Sequence, residues 1–177
     1  GDRKTLAPAG HVAENNYIHH TGVFYKQGVG VNVMGIGQRV AHNLIHDCPR
    51  FAILFSGNDH VIEYNRLRHL CLETADTGGT YCGGRDYLTP RGTVMRYNFI
   101  TDVLGYGHEK GRYHSPHYAW GIYLDDNSSG VDIYGNIVGR MIRGPIHLHN
   151  ARDIHVENNI FFDGTLQQIE MNGWTAG

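Results

Sequence analysis

Charge is scarce in this sequence and long apolar runs are missing. Only 18% of the 177 residues are charged, and the 15 basic and 17 acidic ones are spread along the chain to a net charge of -2. That balance supplies no electrostatic footprint for nucleic acid or for an anionic membrane. No apolar stretch approaches the roughly 20 residues of a membrane span, and the N-terminus lacks a basic region followed by an apolar one. A sustained 3.6-residue apolar period is absent too, so helices should be few. Cysteine occurs three times, as Cys48, Cys71 and Cys82, an odd count at no metal-ligand spacing. The three read as buried thiols, with a Cys48–Cys71 disulfide as the alternative.

Glycine, by contrast, is abundant: 24 residues is about twice its usual share, which suits a chain of many tight turns. The length fits one domain over residues 1–177, whether complete or a segment of a longer protein. Within it one phrase recurs six times, an Asn followed two residues later by an aliphatic or aromatic residue. The copies are Asn16-Tyr17-Ile18, Asn43-Leu44-Ile45, Asn65-Arg66-Leu67, Asn98-Phe99-Ile100, Asn136-Ile137-Val138 and Asn159-Ile160-Phe161. From Asn16 to Asn43 is 27 residues, and the later steps are 22, 33, 38 and 23. A unit of 22 or 23 residues, lengthened in places, suits one turn of a solenoid with insertions on its loops.

Each copy follows a β-rich stretch such as Val61-Ile62-Glu63-Tyr64, and the leucine pattern of leucine-rich repeats is absent. The expectation is an all-β, right-handed parallel β-helix of about six coils, with equivalent residues stacked about 4.8 Å apart. The six Asn residues then form an internal amide ladder. The ionisable residues after each copy, His19-His20, His46-Asp47, Arg68-His69, Thr101-Asp102 and Asp163, share one place in the repeat and read as decoration of a common turn. Solenoid ends are normally capped, yet neither Gly1–Gly10 nor Leu166–Gly177 offers an amphipathic cap. Further β-helix coils or another chain are expected to cover them.

Aligning the second strand of each coil on its aliphatic pairs brings Val31-Asn32-Val33, Ile53-Leu54-Phe55-Ser56, Thr80-Tyr81-Cys82-Gly83, Ile122-Tyr123-Leu124-Asp125, Ile146-His147-Leu148-His149 and Ile169-Glu170-Met171-Asn172 into register. Alternation sends Asn32, Leu54, Tyr81, Tyr123, His147 and Glu170 outward, with Ser56, Gly83, Asp125, His149 and Asn172 as a second column. Any solvated strand shows a polar face. This one carries two Tyr, two His and two carboxylates in adjacent rungs, residue types that hold sugars by ring contact and hydrogen bonding. The extra residues of the two longest coils, around Asp86–Arg91 and Tyr106–Tyr118, are placed to wall a site. His108, His114 and His117 in the second insertion match no zinc spacing, so no metal and no cofactor is expected.

Hydrolysis of a glycosidic bond needs two carboxyl groups. Asp125 is one by its position, and Asp76, in the Gly-rich approach Glu73-Thr74-Ala75-Asp76-Thr77-Gly78-Gly79, is its candidate partner. Asp126, Asp86 and Glu170 are the reserves. The stretches Glu73–Tyr81, Gly84-Arg85-Asp86-Tyr87, Arg91–Asn98, Gly121-Ile122-Tyr123-Leu124-Asp125-Asp126 and Arg152–Ile160 together resemble the β-helix glycosidases of glycoside hydrolase family 141, over roughly Asn58 to Asp163. The resemblance implies a pectin-lyase-like fold, fucosidase or xylanase action on plant cell-wall polysaccharide, and a secreted, periplasmic or cell-surface setting. It also implies a catalytic aspartate pair, Asp76 with Asp125 or Asp126. Tyr81, Arg85, Asp86, Tyr123, His147, His149, Glu170 and Asn172 are the expected sugar-binding residues. The family's chains are several times longer, and its common Ala after the Asp-x-Gly phrase is here Gly79 followed by Thr80.

Two rivals stand beside this reading. A polysaccharide lyase or epimerase on the same scaffold would use Arg85, Arg140 or Arg143 against a uronate carboxylate. A structural or glycan-binding β-helix would need no catalytic acids at all.

Overall fold

The computed structural model describes residues 1–84, 86–88 and 90–173. Among them there is no helix, and hence none long and apolar enough to cross a membrane. Three six-stranded parallel sheets carry the chain. The first contains Val12–Glu14, Arg39–Ala41, Val61–Glu63, Thr93–Arg96, Ser129–Tyr134 and Arg152–Glu157. The second contains Tyr17–His19, Leu44–Cys48, Arg66–Leu70, Phe99–Val103, Ile137–Met141 and Ile160–Gly164. The third contains Val31–Ile36, Ile53–Asn58, Thr77–Gly83, Ala119–Asp125, Gly144–His149 and Ile169–Asn172. Each coil visits the three sheets in that order, so the chain is a parallel β-helix of six coils. The strands aligned from the sequence are the third of each coil rather than the second, because the recurring Asn phrase opens a strand of its own.

That phrase marks the corner between first and second sheets. The residue before each repeated Asn is left-handed: Asn15, His42, Tyr64, Tyr97, Gly135 and Asn158 have φ between 53° and 67°. This conformation is costly for residues with a Cβ, so something must over-determine it. The Asn ladder does. Each Asn Nδ2 donates to the Oδ1 of the next coil's Asn at 2.8–3.0 Å, from Asn16 through Asn43, Asn65, Asn98 and Asn136 to Asn159. The backbone N–H of each donates to the same oxygen, and from Asn43 onward Nδ2 also reaches a first-sheet carbonyl of the preceding coil, such as Ile62 for Asn98. Gly135 is the one glycine in this set, and a Cβ there would lie 2.6 Å from the ring of Tyr97.

A second shared left-handed position falls inside the second sheet, at His20, Asp47, His69, Asp102, Arg140 and Asp163, with φ of 48–63°. The ionisable residues that follow each Asn phrase therefore do occupy a common break in the coil. Asp47 accepts from His46 and His69 there, and Arg140 pairs with Asp102 at 2.7 Å.

Inside the three sheets Ile45, Ile53, Ile62, Leu67, Met95, Ile100, Ile122, Leu124, Ile133 and Ile146 are fully buried. Inward residues of the outer coils, Ile18 at one end and Ile154 and Phe161 at the other, are only partly buried. Cys48, Cys71 and Cys82 are free and buried, which removes the disulfide alternative. Burial pushes the Cys71 and Cys82 thiols up, to about 12 and about 11, so they are inert apolar filling. Of the two insertions, Tyr106–Tyr118 folds into an antiparallel hairpin, Gly107–Glu109 with Arg112–His114. Its base is tied to the loop before the third strand of the preceding coil, with Tyr106 N–H donating to Thr74 and Asp76 N–H to Tyr118, both at 2.9 Å.

Candidate active site

The outer face of the third sheet has the register read from the sequence: Asn32, Leu54, Tyr81, Tyr123, His147 and Glu170 are partners in successive coils. A cleft of about 250 Å³ opens on this face across the last four coils, lined by Asp76, Tyr118, Tyr123, Asp125, Asp126, Arg143, His147, His149, Glu170 and Asn172. Asp125 is its centre. Ile122 and Leu124 point into the core, so alternation turns Asp125 outward, where it remains only 9% exposed.

Four donors converge on the Asp125 carboxylate. Tyr81 hydroxyl donates at 2.7 Å, His149 Nδ1 at 2.6 Å and the Asp126 N–H at 2.9 Å, and the Tyr123 hydroxyl is the fourth. Burial acts to raise the pKa of this carboxyl, but the four hydrogen bonds outweigh it and hold it below the ordinary 3.8. Asp125 is thus ionised at neutral pH. The Tyr81 and Tyr123 hydroxyls move the other way, pushed far up by burial first and then by the adjacent carboxylates, so both stay protonated donors.

The Tyr123 hydroxyl also lies 3.3 Å from Asp76 Oδ1. One hydroxyl therefore stands beside both acids, donating to Asp76 and lying next to the Asp125 carboxylate. Asp76 reaches this point because its left-handed backbone, φ 50°, turns the loop before Thr77–Gly83 toward the strand of the next coil.

Glu170 anchors the other end of the cleft. Trp120 Nε1 donates to it at 2.8 Å, Arg143 Nη2 and Asn172 Nδ2 each at 3.2 Å, and Gln167 Nε2 completes the set. Burial works against its charge, but the Trp120 hydrogen bond and the Arg143 charge prevail and its pKa is lowered. Between the two carboxylates His147 stacks on Trp120 and Tyr123, with ring centroids 4.3 and 4.7 Å apart. Burial keeps its imidazole neutral.

The expected residues are thus gathered in one place, with three exceptions: Tyr81 touches Asp125 through its hydroxyl but does not line the cleft, and Asp86 and Arg85 are the others. Asp86 lines a separate hollow with Gly83, Gly84, Ser56 and Asn58 and is not in the cleft. Arg85 lies outside the described residues. The rings of Tyr81 and Tyr123 pack against Phe51, Trp120 and His147, so neither offers an open aromatic face to a sugar. Asp125, Asp126 and His149 offer one ligand atom each within 4.8 Å, so a cation could be held there; His108, His114 and His117 form no such group among the described residues.

Trp120 was missed from the sequence because strict alternation sends it inward with Ile122. The strand breaks alternation at Gly121, which faces the core: a Cβ there would lie 2.4 Å from Val138 Cγ1. The break turns Trp120 outward, between Gly78 and Gly144 of the neighbouring coils. A Trp in register with two glycines was the available signal. Comparison of the chain with protein-family models, curated proteins and solved structures returned no match.

Proposed function

We propose that this β-helix is a carbohydrate-active glycoside hydrolase acting on plant cell-wall type polysaccharide, in line with its resemblance to family 141, and that Asp125 and Asp76 are its acid pair. The observation that carries the reading is the single Tyr123 hydroxyl shared by the two carboxylates. Two carboxyl groups that flank one side chain suit the several-ångström separations that glycosidases use. Asp125, held ionised by its four donors, is the nucleophile at the anomeric carbon or the base that activates water. Asp76 sits on the exposed side of the cleft, where a leaving group would enter, and delivers the proton to the glycosidic oxygen. Four carboxylates face one arginine in the cleft, and Arg143 is already paired with Glu170. This charge favours a neutral sugar over a uronate.

The lyase or epimerase reading draws support from the Asp125, Asp126 and His149 group, which could hold a charge-neutralising cation. It is weakened by its arginines: Arg140 is paired with Asp102 on the second sheet, away from the cleft. The deciding measurement is sugar release from xylan and from fucosylated polysaccharide. Asp76→Asn and Asp125→Asn should each lower the rate by about 10²–10⁴-fold with the fold retained by circular dichroism. Wild-type rates in both variants would overturn the pair, and ultraviolet-absorbing unsaturated products lost on EDTA treatment would favour the lyase.

A further inference from the structure

Two residues that line the cleft each carry a buried polar atom with no hydrogen-bond partner: Arg143 Nε and His147 Nδ1. Leaving such atoms unpaired is costly, so orphans in the wall of a cleft point to a group that arrives from outside and draws the wall open by a small side-chain shift. Their chemistry is fixed by their neighbours. Asn172 Nδ2 donates to Glu170 at 3.2 Å, which turns the Asn172 Oδ1 toward His147 Nε2 at 3.0 Å. His147 must then carry its proton on Nε2, and Nδ1 is left as a bare acceptor on a side chain only 4% exposed. Arg143 Nε is always a donor, and the guanidinium is oriented by its Nη2 contact to Glu170 and by stacking over Trp120 at 5.3 Å. Trp120 carries the His147 ring as well, so donor and acceptor flank one indole.

We infer that Arg143 and His147 form a hydroxyl-recognition couple, in which the substrate's sugar hydroxyls accept from Arg143 Nε–H and donate to His147 Nδ1. A hydroxyl is the simple group that does both, whereas a carboxylate could satisfy only the arginine. This deepens the reading of the cleft as a sugar site and rests on it. Both residues bind and orient; neither takes part in proton transfer.

The test measures calorimetric binding of xylotetraose and of 4-nitrophenyl α-L-fucoside in an Asp76→Asn background. His147→Phe keeps the ring on Trp120 but removes the acceptor, and Arg143→Lys keeps the charge opposite Glu170 but removes Nε–H. Each should weaken binding roughly tenfold, while His147→Asn, whose amide oxygen lies as far from the backbone as Nδ1, should restore most of it. Thermal melts confirm that each variant is folded. Unchanged affinity in both His147→Phe and Arg143→Lys overturns the couple while leaving the hydrolase reading intact. Binding that depends on the couple, in a protein with no hydrolase activity, keeps the couple and overturns the enzyme. No sugar binding in the parent protein overturns both.

Discussion

His60 shows how a residue with no part in the cleft governs stability. It is fully buried, its Nε2 donates to the Ser56 carbonyl at 3.0 Å, and its Nδ1 accepts from the Gln38 N–H at 3.3 Å. A second proton would face a donor, and burial lowers its pKa below the ordinary 6.5, as it does for His147. In the unfolded chain both imidazoles take up protons near 6.5, and in the folded one they do not. Stability therefore falls as pH drops from 6.5 toward the lowered folded values. The carboxylates act at lower pH. Asp47, Glu63, Asp125 and Glu170 all have lowered pKa values, so their contribution is complete above the ordinary carboxylate range and is lost as pH falls through the folded values. Thermal midpoints should be flat above pH 7, decline below about 6.5 and fall steeply below about 4. His60→Gln should flatten the first decline from a lower starting stability, and a wild-type midpoint constant from pH 7 to pH 5 would contradict the account.

The corner between first and second sheets is the element that fixes the coil, and its stability should depend on position along the ladder. Asn98 is 1% exposed, and its side chain donates to Asn136 and to the Ile62 and Arg96 carbonyls while accepting from both nitrogens of Asn65. Asn16 is exposed and its side chain makes one bond, to Asn43. Asn98→Leu leaves several buried groups unpaired at about 1–3 kcal/mol each, so urea denaturation should show a loss of at least about 3 kcal/mol. Asn16→Leu should cost under about 1 kcal/mol. Equal losses would mean that the ladder does not hold the corner. This element was legible in the sequence because one residue type recurs at one place, and the third-sheet register was legible because aliphatic pairs flank Tyr123 and His147. Trp120 was not, since Gly121 breaks the period of two. Arg143 was visible only as a charge, because its role comes from Glu170, a residue 27 positions away on the next coil.

At the scale of the whole molecule the β-helix is a one-dimensional stack in which a coil is supported by the coil on either side of it. The coils around Leu67, Ile100 and Ile122 have neighbours on both faces and no exposed core, whereas Ile18, Ile154 and Phe161 in the outer coils are only partly covered. Opening an outer coil exposes little additional apolar area, and opening a central one disrupts two interfaces. The candidate active site straddles this gradient. Asp125 and Tyr123 stand on the fourth coil, His147 and His149 on the fifth, and Glu170 and Asn172 on the sixth. The acid end of the cleft is therefore built on fully buried core, and the Glu170 end on a coil whose inward residues are only partly covered. Native-state hydrogen exchange should give slow, near-global protection for amides of Ala119–Asp125, intermediate protection for Gly144–His149 and fast exchange for Ile169–Asn172. A sugar bound across Arg143 and His147 should slow exchange most in that last strand, because Glu170 and Asn172 orient both residues. Uniform protection across the three strands would show instead that the stack opens as a single unit.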